Sequence, residues 1–235
     1  MNLKEFIDSY PNQKDHHNVS MKRLHDKAFK SWMEDCENEH PQEPRVNSLK
    51  QLGLNAEDGF FIWSYTGSCS SWLNCDKRDC NEHNSECKKH FANALERALQ
   101  KLSPFEGKVW RWEQADENLR KFNWFKDNVG LTVRVPYFLS TSKDDITADP
   151  MLWEITTISN GHARDISEIS NNLHENEVLF LPDAKFKIIS VKDDNRTIIM
   201  QELSPDAVTE FDLCRAYDHD PEDVDPNMVI PGIFD

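Results

Sequence analysis

An α+β domain with a largely antiparallel sheet is predicted by a change of hydrophobic period partway along the chain. Before Pro104, apolar residues recur at spacings of three and four, the period of amphipathic helices. After Pro104 they form short apolar or alternating runs bounded by turn residues, the pattern of strands. The length agrees: a chain of 235 residues can bury roughly 70–75 % of its unfolded surface and needs no disulfide or metal to hold a core.

The first helix is expected after Ser20, a good N-cap, with Met21, Leu24, Ala28, Trp32 and Cys36 as its apolar side. Pro41 and Pro44 mark a loop. A second helix is expected from near Asp58, carrying Ile62, Tyr65, Cys69, Trp72 and Leu73 on one side. A third is expected over 84–102, with Cys87, Phe91, Ala94, Leu95, Ala98 and Leu102 as its stripe and Pro104 as its stop. Strands are expected over 108–113, 131–140, 151–158, 177–181, 186–191 and 197–203, with Asp194-Asn195 turning a hairpin between the last two. The chain thus divides into a helical extension (1–55), a core (56–204) and a tail (205–235) with nine acids, one Arg and four prolines. The tail reads as a partly ordered acidic segment. The alternative is a segment that binds a partner or covers the site.

The composition excludes several function classes. Against 27 Lys and Arg stand 42 Asp and Glu, a net charge of −15. Nucleic-acid binders need a basic footprint, and so do proteins that dock on anionic membranes. With 7 Gly in the chain and neither G-x-G-x-x-G nor G-x-x-x-x-G-K-[ST], the common Gly-rich nucleotide loops are absent. No apolar run approaches the ~20 residues that span a bilayer, and the first residues do not resemble a secretory signal. The 6 Cys therefore read as reduced thiols in a cytoplasmic setting. The expected state is a monomer.

Three short stretches carry chemistry. In His174-Glu175-Asn176-Glu177 leading into Val178-Leu179-Phe180-Leu181-Pro182, two carboxylates two residues apart face the same way if the backbone is extended. Such a pair can hold a cationic group or a developing positive charge. In Phe138-Leu139-Ser140-Thr141-Ser142, three hydroxyls at a strand end can hold an active-site side chain by hydrogen bonds. In Lys108-Val109-Trp110-Arg111-Trp112, an Arg within a short apolar strand calls for a carboxylate or an anion. Taken singly, each also reads as an acidic loop, a polar strand end and an edge-strand Arg. The cluster Cys75, Cys80, His83, Cys87, His90 has zinc-ligand composition. However, Cys80, His83, Cys87 and His90 also fall on one helical face, so helix packing is expected and a metal is not.

Taken together and in this order, the three stretches resemble the Arg-Ser-Glu class of mono-ADP-ribosyltransferases. That class includes cholera-like and clostridial binary toxins, type III effectors and vertebrate ecto-enzymes. The spacings fit, with 29 residues from Arg111 to Ser140 and 37 from Ser140 to Glu177. Upstream, Tyr65-Thr66-Gly67-Ser68, then Trp72-Leu73-Asn74 and Arg78, are similar to the class's Y-T-…-[aromatic]-x-x-I-N-x-x-L-R helix. Gly161 to Ser170 is similar to its G-x-x-I-x-x-[IL]-S loop. The resemblance covers roughly residues 58–191.

The resemblance implies an ADP-ribosyltransferase fold, a split antiparallel β-sandwich around an NAD cleft with N-terminal helices. It implies NAD+ as co-substrate, no metal, and a protein substrate, such as a host protein, with no nucleic acid or membrane partner. It implies that Arg111 binds an NAD phosphate or ribose and that the Trp112 backbone meets the nicotinamide amide. Ser140 would fix the Glu177 rotamer, supported by Thr141 and Ser142. Glu177 would bind the nicotinamide ribose and stabilise the transition state, while Glu175 would hold and help deprotonate the acceptor. Asn74 and Arg78 would contact the NAD phosphates, Arg164 would lie in a loop over phosphate and nicotinamide, and residues 167–175 would recognise the target. Glu at the first position of E-x-E points to arginine as acceptor. An NAD+ glycohydrolase and a silent binding module are the alternatives. The implied location is the cytoplasm, or a host cytosol reached without a signal peptide.

Overall fold

In a computed structural model, the described residues are 30, 32, 44–78, 83, 86–113, 119–145 and 151–213. They form two compact units. The first holds described residues 30, 32, 44–76, 83, 86–103 and 165–176, and the second holds 77–78, 104–113, 119–145, 151–164 and 177–213.

The first unit is helical: α1 (Pro44–Gln51), α2 (Ala56–Ser64), a π-helical segment Tyr65–Cys69, α3 (Ser70–Arg78) and α4 (Glu86–Gln100). The helix expected at Asp58 starts earlier, because Asn55 and Asp58 form a capping box. Asp58 N donates to Asn55 Oδ1 at 2.8 Å and Asn55 N donates to Asp58 Oδ2 at 3.0 Å. Asp58 is thus the third residue of the helix, not its opening. The expected apolar stripes are largely buried, with Ile62, Tyr65, Cys69, Leu73, Cys87, Phe91, Leu95 and Ala98 fully so; Phe60 and Leu99, outside those stripes, are buried as well, and Phe61 and Trp72 meet Phe91 edge-on at 5.2 and 5.9 Å. The third helix is shorter than the expected 84–102, and Leu102 caps it from outside by donating its N–H to Leu99 O. Of the first expected helix, only Lys30 and Trp32 are described, both helical; the rest lies outside the described residues.

The second unit carries nine strands: β1 (Lys108–Glu113), β2 (Thr132–Val135), β3 (Leu139–Ser142), β4 (Met151–Thr156), β5 (Ala163–Asp165), β6 (Glu177–Phe180), β7 (Ala184–Lys192), β8 (Thr197–Glu202) and β9 (Phe211–Asp212). Their order is β5-β6-β3-β1-β4-β8-β7-β2-β9. The α+β class therefore holds. The sheet is mixed: β4–β8 and β2–β9 run parallel beside antiparallel neighbours. It is continuous, but its pairing thins to a seam at β1–β3, which share the single register pair Trp110↔Ser142, whereas β1 and β4 pair along their whole length. Arg111 and Ser140 sit on the two strands flanking that seam.

The expected single strand 131–140 is two strands. Pro136 has no N–H to give a ladder, and the chain leaves β2 there and re-enters the sheet as β3. Two α-helices and two strands were not anticipated: α1, α5 (Arg120–Asp127), β5 and β9. Helix α5 lays Phe125 edge-on to Trp153 at 5.4 Å and Trp124 edge-on to Phe211 at 6.1 Å. The start of the acidic segment is bound to the sheet by charge: Arg134 Nε and Nη2 donate to Asp212 at 2.7 and 2.5 Å. Among the described residues, no helix is long and apolar enough to cross a membrane.

Candidate active site

Strand parity brings the expected serine and glutamate together. Ser142 lies opposite Glu177 across the β3–β6 ladder, so Ser140, two residues earlier in β3, is the diagonal neighbour of Glu177 on the same face. Ser140 Oγ donates to Glu177 Oε1 at 2.5 Å, and Glu177 is only 3 % exposed. Thr141, on the opposite face, is buried and donates Oγ1 to Val178 O at 2.7 Å, which ties β3 to β6. Ser142 Oγ accepts from Asp144 N at 3.0 Å and shapes the turn that follows. The three hydroxyls thus serve three different partners.

Arg111 joins this pair through the main chain. Its Nη1 donates to the Ser140 carbonyl at 2.8 Å and its Nε to Glu113 Oε1 at 2.6 Å. Lys121 of α5 donates to the other Glu113 oxygen at 2.9 Å. Burial alone would raise the Glu113 pKa, but Arg111 first, and then Lys121, outweigh it and hold the carboxyl at about 2. The second unit therefore contains a connected series: Lys121, Glu113, Arg111, the Ser140 backbone, the Ser140 side chain and Glu177. Trp112, on the other face of β1, is half-buried, and its Nε1 has no hydrogen-bond partner among the described residues.

Arg164 is not in a loop. It lies in β5, mostly buried, and its Nη1 donates to the Gly161 and Ala163 carbonyls at 2.8 Å each. Burial lowers its pKa, partly offset by Glu202. Glu202 is itself buried in the turn before β5, where it accepts the Ile158 and His162 N–H groups at 3.1 and 2.5 Å. Gly161 lies against it: a Cβ there would come within 2.3 Å of the Glu202 carboxylate.

Of the remaining expected residues, Asn74 and Glu175 belong to the first unit and Arg78 to the second. Asn74 is buried and donates Nδ2 to Tyr65 OH at 3.0 Å, which links the ends of the Tyr-Thr and Asn motifs across the π-helical segment. Thr66 Oγ1 accepts from Asn171 N at 2.8 Å, so the Tyr-Thr motif also anchors the segment expected to recognise the target. Glu175 ends a 3₁₀ turn (Leu173–Glu175), is exposed, and accepts from Asn172 Nδ2 at 2.8 Å. The extended Glu-x-Glu geometry is not what forms. Glu175 is helical, Asn176 is left-handed with φ +45°, and only Glu177 is in a strand; an Asn tolerates that backbone where most residues do not.

Arg78 closes α3, and its side chain lies outside the described residues, as do those of Cys75 and Cys80. Among the described residues, no group of three or more His, Cys, Asp or Glu could hold a metal ion. Glu113 and Lys121 were missed in the sequence. The Arg-x-Glu spacing of 111 and 113 puts both on one strand face and is a readable signal. Nothing in the sequence points to Lys121, which reaches Glu113 only through the packing of α5.

A family model described as NAD:arginine ADP-ribosyltransferase matches residues 6–207. Comparison with curated protein sequences finds no match. Similar solved structures include Plx2a, an ADP-ribosyltransferase toxin from Paenibacillus larvae: 20 % identity, 73 % of this chain and 96 % of that one, TM-score 0.58. The ADP-ribosyltransferase Vis from Vibrio splendidus, solved in complex with agmatine, is 16 % identical over 90 % of this chain and 97 % of that one, TM-score 0.56. C3stau2 from S. aureus, solved with NAD, is 21 % identical over 66 % and 90 %, TM-score 0.54. At these identities the three share the fold.

Proposed function

The chain belongs to the NAD:arginine ADP-ribosyltransferase family, and we propose that it transfers ADP-ribose from NAD+ to an arginine side chain of a protein, releasing nicotinamide. The observation that carries the reading is the Ser140–Glu177 hydrogen bond joined to Arg111 through the Ser140 carbonyl. In the reaction the C1′–N bond to nicotinamide breaks and its electron pair leaves with the neutral ring. Positive charge then builds on C1′ and its ring oxygen. A carboxylate beside that sugar stabilises the charge, and Glu177, whose rotamer Ser140 fixes, is the group for it. Arg111 supplies planar, permanently charged donors to the diphosphate or ribose.

The acceptor guanidinium is protonated at neutral pH and is a poor nucleophile until it loses a proton. Glu175, exposed beside Asn172, is the base in this reading: it takes an acceptor N–H proton as that nitrogen bonds to C1′. The agmatine in the Vis structure, itself a guanidine, supports an arginine acceptor here. Asn74, Arg78 and Arg164 are proposed as phosphate-side residues, Trp112 as the backbone contact for nicotinamide, and residues 167–175 as the target-recognition segment. A setting inside host cells follows the toxin relatives.

The test is adenylate-labelled NAD+ incubated with host lysate. Wild type should label a protein band, sensitive to loss of its arginines. Glu177→Gln should reduce labelling by about 10²–10³ with unchanged melting. Glu175→Ala should lose protein labelling yet still release nicotinamide. Full labelling by Glu177→Gln overturns the assignment, and ADP-ribose release without any labelled protein makes water the acceptor.

A further inference from the structure

We propose that Lys121 is a positioning residue for NAD+ binding: it neutralises Glu113, so that Glu113 can orient Arg111 without cancelling the positive charge Arg111 presents to a diphosphate. The proposal rests on the reading of Arg111 as an NAD+ ligand.

A buried carboxylate needs a cation, and Glu113 has two, Arg111 Nε at 2.6 Å on one oxygen and Lys121 Nζ at 2.9 Å on the other. The side chains of Glu113 and Lys121 are 8 % and 9 % exposed, that of Arg111 18 %. Either cation would satisfy Glu113. With Arg111 alone, the pair would be neutral, and the attraction for an anion would be cancelled at close range. With Lys121 added, the trio carries +1, and Arg111 is held through Nε and Nη1 while the trio keeps that charge. A fixed, still-charged guanidinium is what planar recognition of phosphate needs.

The location of Lys121 supports this. It is in the first turn of α5, where the helix dipole disfavours a cation. It is nearly buried and sits 5.9 Å from the centre of the Trp153 ring. Trp153 is the register partner of Arg111 across β1–β4, so one packed layer holds the lysine, the tryptophan and the arginine strand together. A lysine placed only for solubility would point to water.

The test is steady-state kinetics with NAD+ as the varied substrate, with melting measured beside it. Lys121→Met should raise KM for NAD+ about tenfold, with kcat within about threefold, and should leave inhibition by uncharged nicotinamide unchanged. Lys121→Arg, which keeps the charge, should restore KM. Adding Glu113→Gln to Lys121→Met should bring KM back down, because the trio regains +1 and Gln still accepts from Arg111 Nε. A purely structural lysine would lower melting without this split between NAD+ and nicotinamide. A wild-type KM in Lys121→Met, or a raised KM that Glu113→Gln does not relieve, overturns the proposal. Arg111→Ala separates it from the function it rests on. If that variant loses NAD+ and Lys121→Met does not, this proposal alone fails. If wild type and Arg111→Ala bind NAD+ equally, the assignment of Arg111 fails and takes this proposal with it.

Discussion

Ser140 uses its backbone and its side chain on different partners: the carbonyl accepts from Arg111 and the hydroxyl donates to Glu177. The two functions can therefore be cut apart by mutation. Ser140→Ala removes the hydroxyl and leaves the carbonyl. A hydrogen bond to a charged group is worth about 1.5–3 kcal/mol, which converts to a ten- to hundredfold range in rate if it is felt in the transition state. Ser140→Ala should thus lower kcat for nicotinamide release ten- to a hundredfold and leave KM for NAD+ within about threefold, because the Arg111 contact persists. A raised KM with unchanged kcat would place Ser140 on the binding side and contradict the carboxylate-orienting role. Glu113 and Glu177 are both almost fully buried; Glu113 is held charged by two cations, and Glu177 accepts from the Ser140 hydroxyl.

At the scale of elements, the turn before β5 depends on packing that a side chain at 161 would break. Glu202 fills the inside of that turn, pinned by the Ile158 and His162 amides, and Gly161 passes directly over its carboxylate. Because Glu202 cannot swing away without losing both bonds, Gly161→Ala should destabilise the fold by about 1–3 kcal/mol. Chemical denaturation would read this, and a neutral result would mean that the carboxylate moves freely. This also accounts for what was legible beforehand. Gly161 stood out as part of a loop motif, but the reason for a glycine is a carboxylate 41 residues away. The helices of the first unit and most strands were readable because apolar spacing survives in the sequence. Strands β5 and β9 were not, since three- and two-residue strands have no period to detect. Helix α5 was hidden because its apolar face, Phe122, Trp124 and Phe125, reads equally as a short strand. That Arg111, Ser140 and Glu177 come together was legible through order and spacing. The Glu175 backbone was not, because a 3₁₀ turn and a left-handed Asn leave no mark in Glu-x-Glu. Arg164 was misplaced for the same reason as β5, the strand that holds it.

For the molecule as a whole, the consequence of the Glu113 site is its dependence on pH. The carboxyl lies near 2 in the folded chain against an ordinary 4.5. A depressed carboxyl contributes stability that is complete above its unfolded value and is lost as pH falls toward the folded one. The full contribution is about 3 kcal/mol, and roughly half of it should disappear between pH 5 and pH 3. Other charges act differently. Burial raises the Glu202 carboxyl, so its contribution has the opposite sign, present at low pH and lost as pH rises through its folded value. The net charge of −15 falls to about zero near pH 5, the isoelectric point, and turns positive below it, so self-repulsion grows between pH 5 and pH 3. His162, whose pKa burial lowers, also contributes stability that is lost as pH falls, so the part due to Glu113 is read only by comparison with a variant that lacks its charge. The double variant Glu113→Gln, Lys121→Met replaces the buried pair by neutral groups of similar size and keeps the other charges. Urea unfolding at pH 5 and pH 3 should therefore show a drop smaller by roughly 2 kcal/mol in the double variant than in wild type. Equal drops would mean that Glu113 is not held charged at the bottom of this range, and that Arg111 and Lys121 do not compensate for its burial.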